Sequence, residues 1–185
     1  MDRQISDRSI LDKFCEEFCA IVEKHCKYII VSGFLVIASG RTRGTEDIDM
    51  IIEKLDQTRF QSLFTELEQT GFDCMQTTNM NEAYDYLNEN LSLRFTWKNK
   101  SLPEMEMKFA KDMLDIYQLT NRVKIPLTGL DIWFSTININ IAFKEELLKS
   151  PKDMEDAKHL RIVYREQVDE QEINNVKKMI KQLRL

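Results

Sequence analysis

The sequence contains little that would interrupt regular secondary structure, with 5 Gly and 3 Pro among 185 residues. It has no stretch approaching the roughly 18 consecutive apolar residues of a membrane-spanning helix, and we expect no signal peptide in the polar, acidic segment MDRQISDRSI. It also lacks an excess of positive charge, because 31 acidic residues outnumber 26 basic ones and give a net charge of −5. We therefore expect a cytoplasmic protein with no membrane partner, in which contact with nucleic acid requires a local basic patch.

The four cysteines lack the short Cys-x-x-Cys spacing that is typical of structural zinc sites. Cys15, Cys19 and Cys26 lie near His25 in the sequence, so a zinc site stays open as an alternative. Small buried thiols are the commoner use of such cysteines, and disulfides are rare in cytoplasmic proteins. We expect four free thiols.

Hydrophobic periodicity divides the chain into alternating helices and strands. Helical spacing predicts helices at residues 7–26, in FLVIAS up to Gly40, from about Thr58 to Gly71, at 112–119, at 138–149, from Pro151 onward and at 171–183. Strands are predicted at YIIVSG, DIDMIIE, FDCMQ, LSLRFTW and EMEMKF, with VKIPL and LDIWF as one or two more. We predict a single α/β or α+β domain over residues 1–185. Its mixed sheet, flanked by helices, forms a core over 1–136, and a helical C-terminal segment follows over 137–185.

The strand DIDMII begins with two carboxylates on one face. Asp47 and Asp49 are two residues apart, so both side chains point the same way, about 7 Å apart at the backbone. Carboxylates that converge can hold two divalent ions, which clamp the attacking and leaving oxygens of a phosphoryl transfer, and Mg²⁺ suits such sites. An acidic residue at every second position is also what a half-exposed strand looks like, so a purely structural strand stays open.

The residues before this strand carry a resemblance to a known family. In VSGF…TEDIDMII a hydrophobic residue precedes Gly33 and Phe34, and twelve residues separate Phe34 from Asp47-Ile48-Asp49-Met50. This pattern resembles the polymerase-beta-like nucleotidyltransferases, which usually have Gly or Ser at the position of Phe34. The resemblance implies a nucleotidyltransferase-like fold and transfer of a nucleoside monophosphate from an NTP to an acceptor hydroxyl with two Mg²⁺ ions.

The same resemblance implies roles for individual residues. Asp47 and Asp49 would be catalytic and bind the metals, and Ser32 and Gly33 would contact the nucleotide. The family has a third carboxylate on a later strand. Glu106, on the polar face of EMEMKF, is our candidate for this catalytic and metal-binding position, with Glu104 on the same face as the alternative.

Residues 143–160, FKEELLKSPKDMEDAKHL, resemble the C-terminal element of the abortive-infection type nucleotidyltransferase toxins. Lys144, Lys152, Asp153 and Asp156 occupy comparable places, which implies that Lys144 reaches the triphosphate. It also implies a cognate antitoxin or toxin as a partner. Lysines on a solvated helix face and acidic residues near a helix N-terminus are equally common without such a role.

Arg41 and Arg43 precede the two aspartates in the loop RTRGTE. Guanidinium groups suit phosphate oxygens, so we predict that both bind the triphosphate of the nucleotide or a nucleic-acid backbone, with a salt bridge to Glu46 or Asp47 as the alternative. The acceptor, whether tRNA, a protein hydroxyl or a small molecule such as an antibiotic, is not encoded in any motif. Three functions stay open: a nucleotidyltransferase, a nucleotide-binding toxin–antitoxin component with weak or no transfer, and an interaction domain whose acidic strand is structural.

Overall fold

The computed structural model describes residues 9–42, 44–45 and 47–185. Within these residues the chain forms a five-stranded mixed sheet flanked by helices, as predicted. The strands are β1 (Tyr28–Val31), β2 (Asp47–Ile52), β3 (Phe72–Cys74), β4 (Leu93–Trp97) and β5 (Glu104–Phe109). The helices are α1 (Ile10–Val22), α2 (Gly33–Ala38), α3 (Gln57–Gln69), α4 (Met80–Asn88), α5 (Met113–Thr120), α6 (Ile137–Phe143), α7 (Pro151–Val163) and α8 (Glu170–Arg184).

The sheet has the strand order β1-β2-β5-β4-β3. Strands β4 and β5 form an antiparallel hairpin, and β1 also pairs antiparallel with β2. The central pair, β2 and β5, is parallel, so its two strands run in the same direction through the middle of the sheet. This pairing brings the two acidic segments of the sequence side by side.

The alternation within β2 and β5 separates a buried face from a polar one. Ile48 and Met50 of β2 and Met105 and Met107 of β5 are at most 1% exposed. Burial of each such side chain contributes roughly 1.5–3 kcal/mol. Helices α1 and α3 cover this face with aromatic side chains, and the ring of Phe18 lies 5.5 Å from that of Phe95 on β4. The acidic residues of β2 and β5 consequently point to the other face.

Helix ends follow the signals in the sequence. The side chain of Asp56 accepts a hydrogen bond from the Arg59 backbone N–H and caps the start of α3. Gly71, with a φ of 102°, follows the end of this helix. Ser150 caps α7 in the same way, directly before Pro151 at the first helical position. These caps satisfy backbone groups that the helices leave unpaired.

The prediction of strands in VKIPL and LDIWF is wrong. Pro126 has no backbone N–H for a strand ladder, and Pro126–Thr128 instead forms a 3-10 turn that Gly129 ends with a φ of 69°. In LDIWF, Phe134 makes isolated bridges with Ile30 and Val123. The backbone bends too sharply here for either segment to pair over a longer distance.

The cysteines are buried free thiols, as predicted. Burial raises the pKa of the Cys15 thiol and raises that of Cys26 to about 12. His25, the nearest histidine, has its Nε2 2.6 Å from a carboxylate oxygen of Glu66. These environments favour neutral thiols and leave His25 engaged elsewhere, so they do not support the zinc alternative.

The C-terminal part of the chain is helical, as predicted. Helix α6 continues into a π-helical segment, Lys144–Leu148, and packs against α7 and α8. In α8, Ile173, Val176 and Ile180 are buried, whereas Leu183 is 46% exposed. The division of the chain at residue 136 stays a prediction. In the described part of the chain, every helix is too short or too polar to cross a membrane.

Candidate active site

A cavity of about 310 Å³ lies beside the junction of β2 and β5. The opposite wall comes from α5, α6, the π-helical segment and the end of α8. The cavity brings together four of the residues predicted from the sequence: Ser32, Asp49, Glu106 and Lys144. It is therefore the candidate active site.

The parallel register of β2 and β5 places the carboxylates in adjacent pairs. Asp49 lies opposite Glu106, and Asp47 lies opposite Glu104. Neighbouring strands are about 4.8 Å apart, and register partners in a parallel pair point to the same face. Of the two candidates for the third carboxylate, Glu106 lines the cavity beside Asp49, whereas Glu104 is not part of the lining and lies opposite the exposed Asp47.

Two cations accompany this carboxylate pair. The Nζ of Lys108 lies 2.9 Å from one oxygen of Glu106, and Arg94, the register partner of Glu106 on β4, lies 3.6 Å from the other. Burial and then the charge of Glu106 raise the pKa of Asp49, against the effect of Lys108. Burial opposes ionisation of Glu106 too, but its hydrogen bond and ion pair with Lys108 outweigh burial and lower its pKa.

The chemistry of this donor set fits a divalent cation. Asp49 and Glu106 offer hard oxygen ligands in a partly buried setting, where burial and then the charge of Glu106 raise the pKa of Asp49. The ammonium group of Lys108 places a positive charge next to Glu106. Among the residues that the structure describes, no three His, Cys, Asp or Glu side chains are arranged to hold one ion. Binding two Mg²⁺ ions would require Glu106 to exchange its contacts with the two cations for metal.

The turn between β1 and α2 has an unusual backbone. Ser32 has φ 68° and ψ −138°, a conformation that favours glycine, and Gly33 is the first residue of α2. Phe34, at the position where the family usually has Gly or Ser, is 1% exposed and belongs to the hydrophobic core. Ser32 therefore occupies the strained position of the turn, and its side chain faces Asp49, where their hydrogen bond partly opposes the rise in the pKa of Asp49.

The basic residues predicted to bind the nucleotide form an ion cluster with α7. Lys144, 1% exposed, has its Nζ 2.9 Å from Asp156 and 3.6 Å from Asp153. Arg41 also pairs with Asp156, and with Glu155 at 2.6 Å, rather than with Asp47. Arg43 and Glu46 lie outside the described residues. The cluster ties the loop before β2 to α7, while Lys144 also borders the cavity.

The helical wall of the cavity holds polar residues that the sequence analysis missed. Asp115, Gln118, Asn140 and Arg184 lie on this wall, in α5, α6 and α8, whereas the carboxylate pair lies on the sheet. The sequence contained a signal for one of these residues, because Asn140 precedes Lys144 by four residues and therefore shares its helix face. The other three come from α5 and α8, and no local pattern relates these helices to the strands.

Comparison with known proteins identifies the fold. The chain matches no protein-family model and no curated protein. It superimposes on the solution structure of the antibiotic-resistance factor ANT(2'')-Ia with a TM-score of 0.54 and 12% identity, over 93% of this chain and 91% of that chain. The crystal structure of ANT(2'')-Ia in complex with adenylyl-2''-tobramycin gives a TM-score of 0.54 and 14% identity, over 94% and 98%.

An antigenic nucleotidyltransferase-like protein from Paracoccidioides brasiliensis gives a TM-score of 0.52 and 15% identity, over 90% of this chain and 85% of that chain. At these identities the likeness concerns the fold alone. The chain has the polymerase-beta-like nucleotidyltransferase fold that the motif in VSGF…TEDIDMII predicts.

Proposed function

We propose that this protein transfers a nucleoside monophosphate from an NTP to an acceptor hydroxyl with the help of two Mg²⁺ ions. The observation that carries the proposal is the adjacent pair Asp49 and Glu106 in the wall of a cavity, within a nucleotidyltransferase fold. A fold can host many functions, so the argument depends on the chemistry of this pair.

The carboxylates would hold the metals, with Asp47 and Asp49 as ligands of both and Glu106 completing the site. Asp47 and Asp49 leave the same face of β2, and Glu106 lies one strand away from Asp49. When bound, Mg²⁺ would neutralise charge on the phosphates and make the acceptor hydroxyl more acidic. A divalent cation beside Asp49 would offset the repulsion from Glu106, which contributes to the raised pKa of Asp49.

In the transfer step, the acceptor oxygen would form a bond to the α-phosphorus while the bond from that phosphorus to the bridging oxygen breaks and pyrophosphate leaves. Glu106 would accept the proton of the hydroxyl at a carboxylate oxygen. A glutamate carboxylate is ionised at neutral pH, as a proton acceptor must be. Positioning and charge neutralisation would supply most of the rate enhancement.

The cations near the cavity would bind the triphosphate. Lys144 borders the cavity, and Arg41 shares Asp156 with it through the ion cluster. Ser32 and Gly33 lie in the turn that faces Asp49, so they would contact the phosphates next to the metals. Arg43, in the same loop as Arg41, is proposed for the same role from the sequence alone.

The charges around the cavity do not identify the acceptor. Lys108, Lys111, Lys144 and Arg184 contribute four cations to its lining, against the three carboxylates of Asp49, Glu106 and Asp115. Lys144 is paired with Asp156 and Arg184 with Asp112, so two of these cations are already balanced. The lining therefore does not select between a cationic acceptor such as tobramycin, found as its adenylyl derivative with ANT(2'')-Ia, and a neutral or anionic one such as tRNA. A cognate antitoxin or toxin remains a prediction of the resemblance to abortive-infection toxins.

The test is label transfer from each α-³²P-labelled NTP, with Mg²⁺ and a cellular extract as the source of acceptors. We expect Asp49→Asn to lower transfer by at least about 100-fold, the scale of losing one group that stabilises the transition state. Asp73→Asn is the matched control, since Asp73 is an exposed aspartate on the edge strand β3. It should leave transfer unchanged.

Three results would contradict the mechanism or replace it. Full activity in Asp49→Asn would show that this carboxylate is not catalytic. Mg²⁺-dependent NTP binding by the wild type without transfer would favour the nucleotide-binding module, which the contacts of Glu106 with Lys108 and Arg94 make the second candidate. Absence of any Mg²⁺-dependent thermal shift with all four NTPs would favour an interaction domain.

A further inference from the structure

A connected network of buried polar groups lies along the helical wall of the cavity, which α5, α6 and α8 form. The guanidinium of Arg184 donates to Asp115 at 2.6 Å, and Gln118 donates to the same oxygen at 3.3 Å. The Ser135 hydroxyl donates to Gln118 at 2.9 Å, and its backbone oxygen accepts from Asn140 at 3.0 Å. All of these groups except Arg184 are at most 4% exposed. Such a network holds its members in fixed orientations.

The orientation of the Asn140 amide follows from its partners. Its Nδ2 donates to the backbone oxygens of Ser135 at 3.0 Å and Thr136 at 2.9 Å. Two carbonyl acceptors on one side identify that side as the NH₂ group, so Oδ1 points the other way. Asn140 is 4% exposed and lines the cavity, and no residue in the described part of the chain donates to its Oδ1. Asn140 Oδ1 is not one of the fully buried side-chain atoms without a partner in these residues, so it is open to the cavity. There it can accept a hydrogen bond from a donor on a ligand.

The position of Asn140 indicates which part of a nucleotide would supply that donor. Asn140 is one helical turn from Lys144, about 6 Å along the axis. If Lys144 contacts the triphosphate, Asn140 is placed to meet another part of the nucleotide. The cavity lining also includes the apolar side chains of Val31, Phe143 and Leu147. An apolar wall suits a flat aromatic base better than phosphates or ribose hydroxyls.

We infer that Asn140 determines base specificity by accepting a hydrogen bond from the exocyclic amine of adenine or cytosine. The inference rests on the proposed function. Guanine and uracil carry a keto oxygen at the corresponding ring position, which would set two acceptors against each other. Because the NH₂ group of Asn140 is already bonded to the backbone, the amide cannot flip to serve a keto base without losing both of these bonds.

The test is equilibrium binding by the full chain of nucleotides that differ at this one position. MgATP is compared with the Mg²⁺ complex of inosine triphosphate, in which an oxygen replaces the 6-amino group, and MgCTP is compared with MgUTP. We expect the amino base to bind roughly 5- to 100-fold more tightly than its keto counterpart in at least one of the two pairs, the scale of a specific amide–base contact.

Asn140→Leu removes the acceptor and should bring that affinity ratio to about one. Asn138→Leu is the matched control, because Asn138 is a buried asparagine on the same helix whose side chain bonds Gln167 and Glu172. General loosening of α6 would weaken all nucleotides in both variants and leave the ratios intact. A changed ratio in Asn140→Leu alone is therefore specific to the contact.

The outcomes separate this inference from the proposed function. Mg²⁺-dependent binding of NTPs with equal affinity for amino and keto bases overturns the inference and leaves the proposed function standing. A preference that persists unchanged in Asn140→Leu also overturns it. Absence of Mg²⁺-dependent binding for every nucleotide overturns both. If Asn140→Leu does not fold, Asn140→Ala is measured in its place, and a preference that persists in that variant overturns the inference.

Discussion

Replacing Asp49 by Asn should stabilise the metal-free protein while it removes activity. Asp49 and Glu106 are negative charges on neighbouring strands about 5 Å apart. At an effective dielectric constant of about 20, their repulsion amounts to about 3 kcal/mol. Lys108, on the same face, offsets much of this. We therefore expect a net gain of about 1 kcal/mol in the free energy of unfolding, which raises Tm by about 2–4 °C for a chain of this size.

The pH dependence of this gain follows from the raised pKa of Asp49. In the unfolded chain the carboxyl titrates at its ordinary value of 3.8, whereas in the folded protein it holds its proton to higher pH. The folded state binds more protons in this window, so wild-type stability falls as pH rises through it. The asparagine variant has no such loss. The difference between the two proteins should be largest at neutral pH and disappear below pH 3.8.

Thermal denaturation of both proteins at several pH values, with and without Mg²⁺, measures these effects. Without Mg²⁺ the variant should melt at the higher temperature at neutral pH. With Mg²⁺ the wild type should gain stability and the variant should gain less, because binding to the folded state stabilises it. A variant that is less stable than wild type at neutral pH without metal would refute the electrostatic reasoning, as would a gain that does not change with pH.

Three further changes test other parts of the site. Ser32→Gly should raise the free energy of unfolding by about 1 kcal/mol in urea denaturation, because Ser32 has a φ of 68°; no gain would mean that the turn is not strained. Asp156→Ala should cost about 3–5 kcal/mol by leaving two partly or fully buried cations without this partner, whereas Glu155→Ala, at an exposed carboxylate, should cost at most about 1 kcal/mol. Lys108→Met should tighten binding of Mg²⁺ alone in calorimetric titration, since Lys108 competes for the carboxylates; unchanged or weaker binding would contradict that competition.

Local patterns in the sequence predicted most of the fold. The period of two in DIDMII and EMEMKF placed their methionines in the core and their acids on the other face, because a strand with one buried face permits one arrangement. Pro151 and Gly71 marked the start of one helix and the end of another for equally local reasons. VKIPL and LDIWF were mistaken for strands because they are apolar, although Pro126 argued against a ladder in the first.

In the candidate site, only the residues that are close together in the sequence could be predicted to lie together. Asp47 and Asp49 share a strand, so their spacing alone placed them together. The choice between Glu104 and Glu106 depended on the register of β2 against β5, which the sequence does not encode locally. The same holds for Arg41, whose partner Asp156 lies on α7. Contacts between distant segments are set by tertiary packing, which patterns of a few residues do not describe.

The parallel pairing of β2 and β5 also has a consequence for the order of folding. The hairpin of β4 and β5 joins segments that are close in the chain, whereas β2 must meet β5 across α3, β3 and α4. Closing so long a loop costs chain entropy before any contact is gained. We expect pulse-labelled hydrogen exchange to show protection in the hairpin before β2 is protected, and simultaneous protection would contradict this order. The carboxylate pair would then come together late, so newly made chains would bind no metal until the sheet is nearly complete.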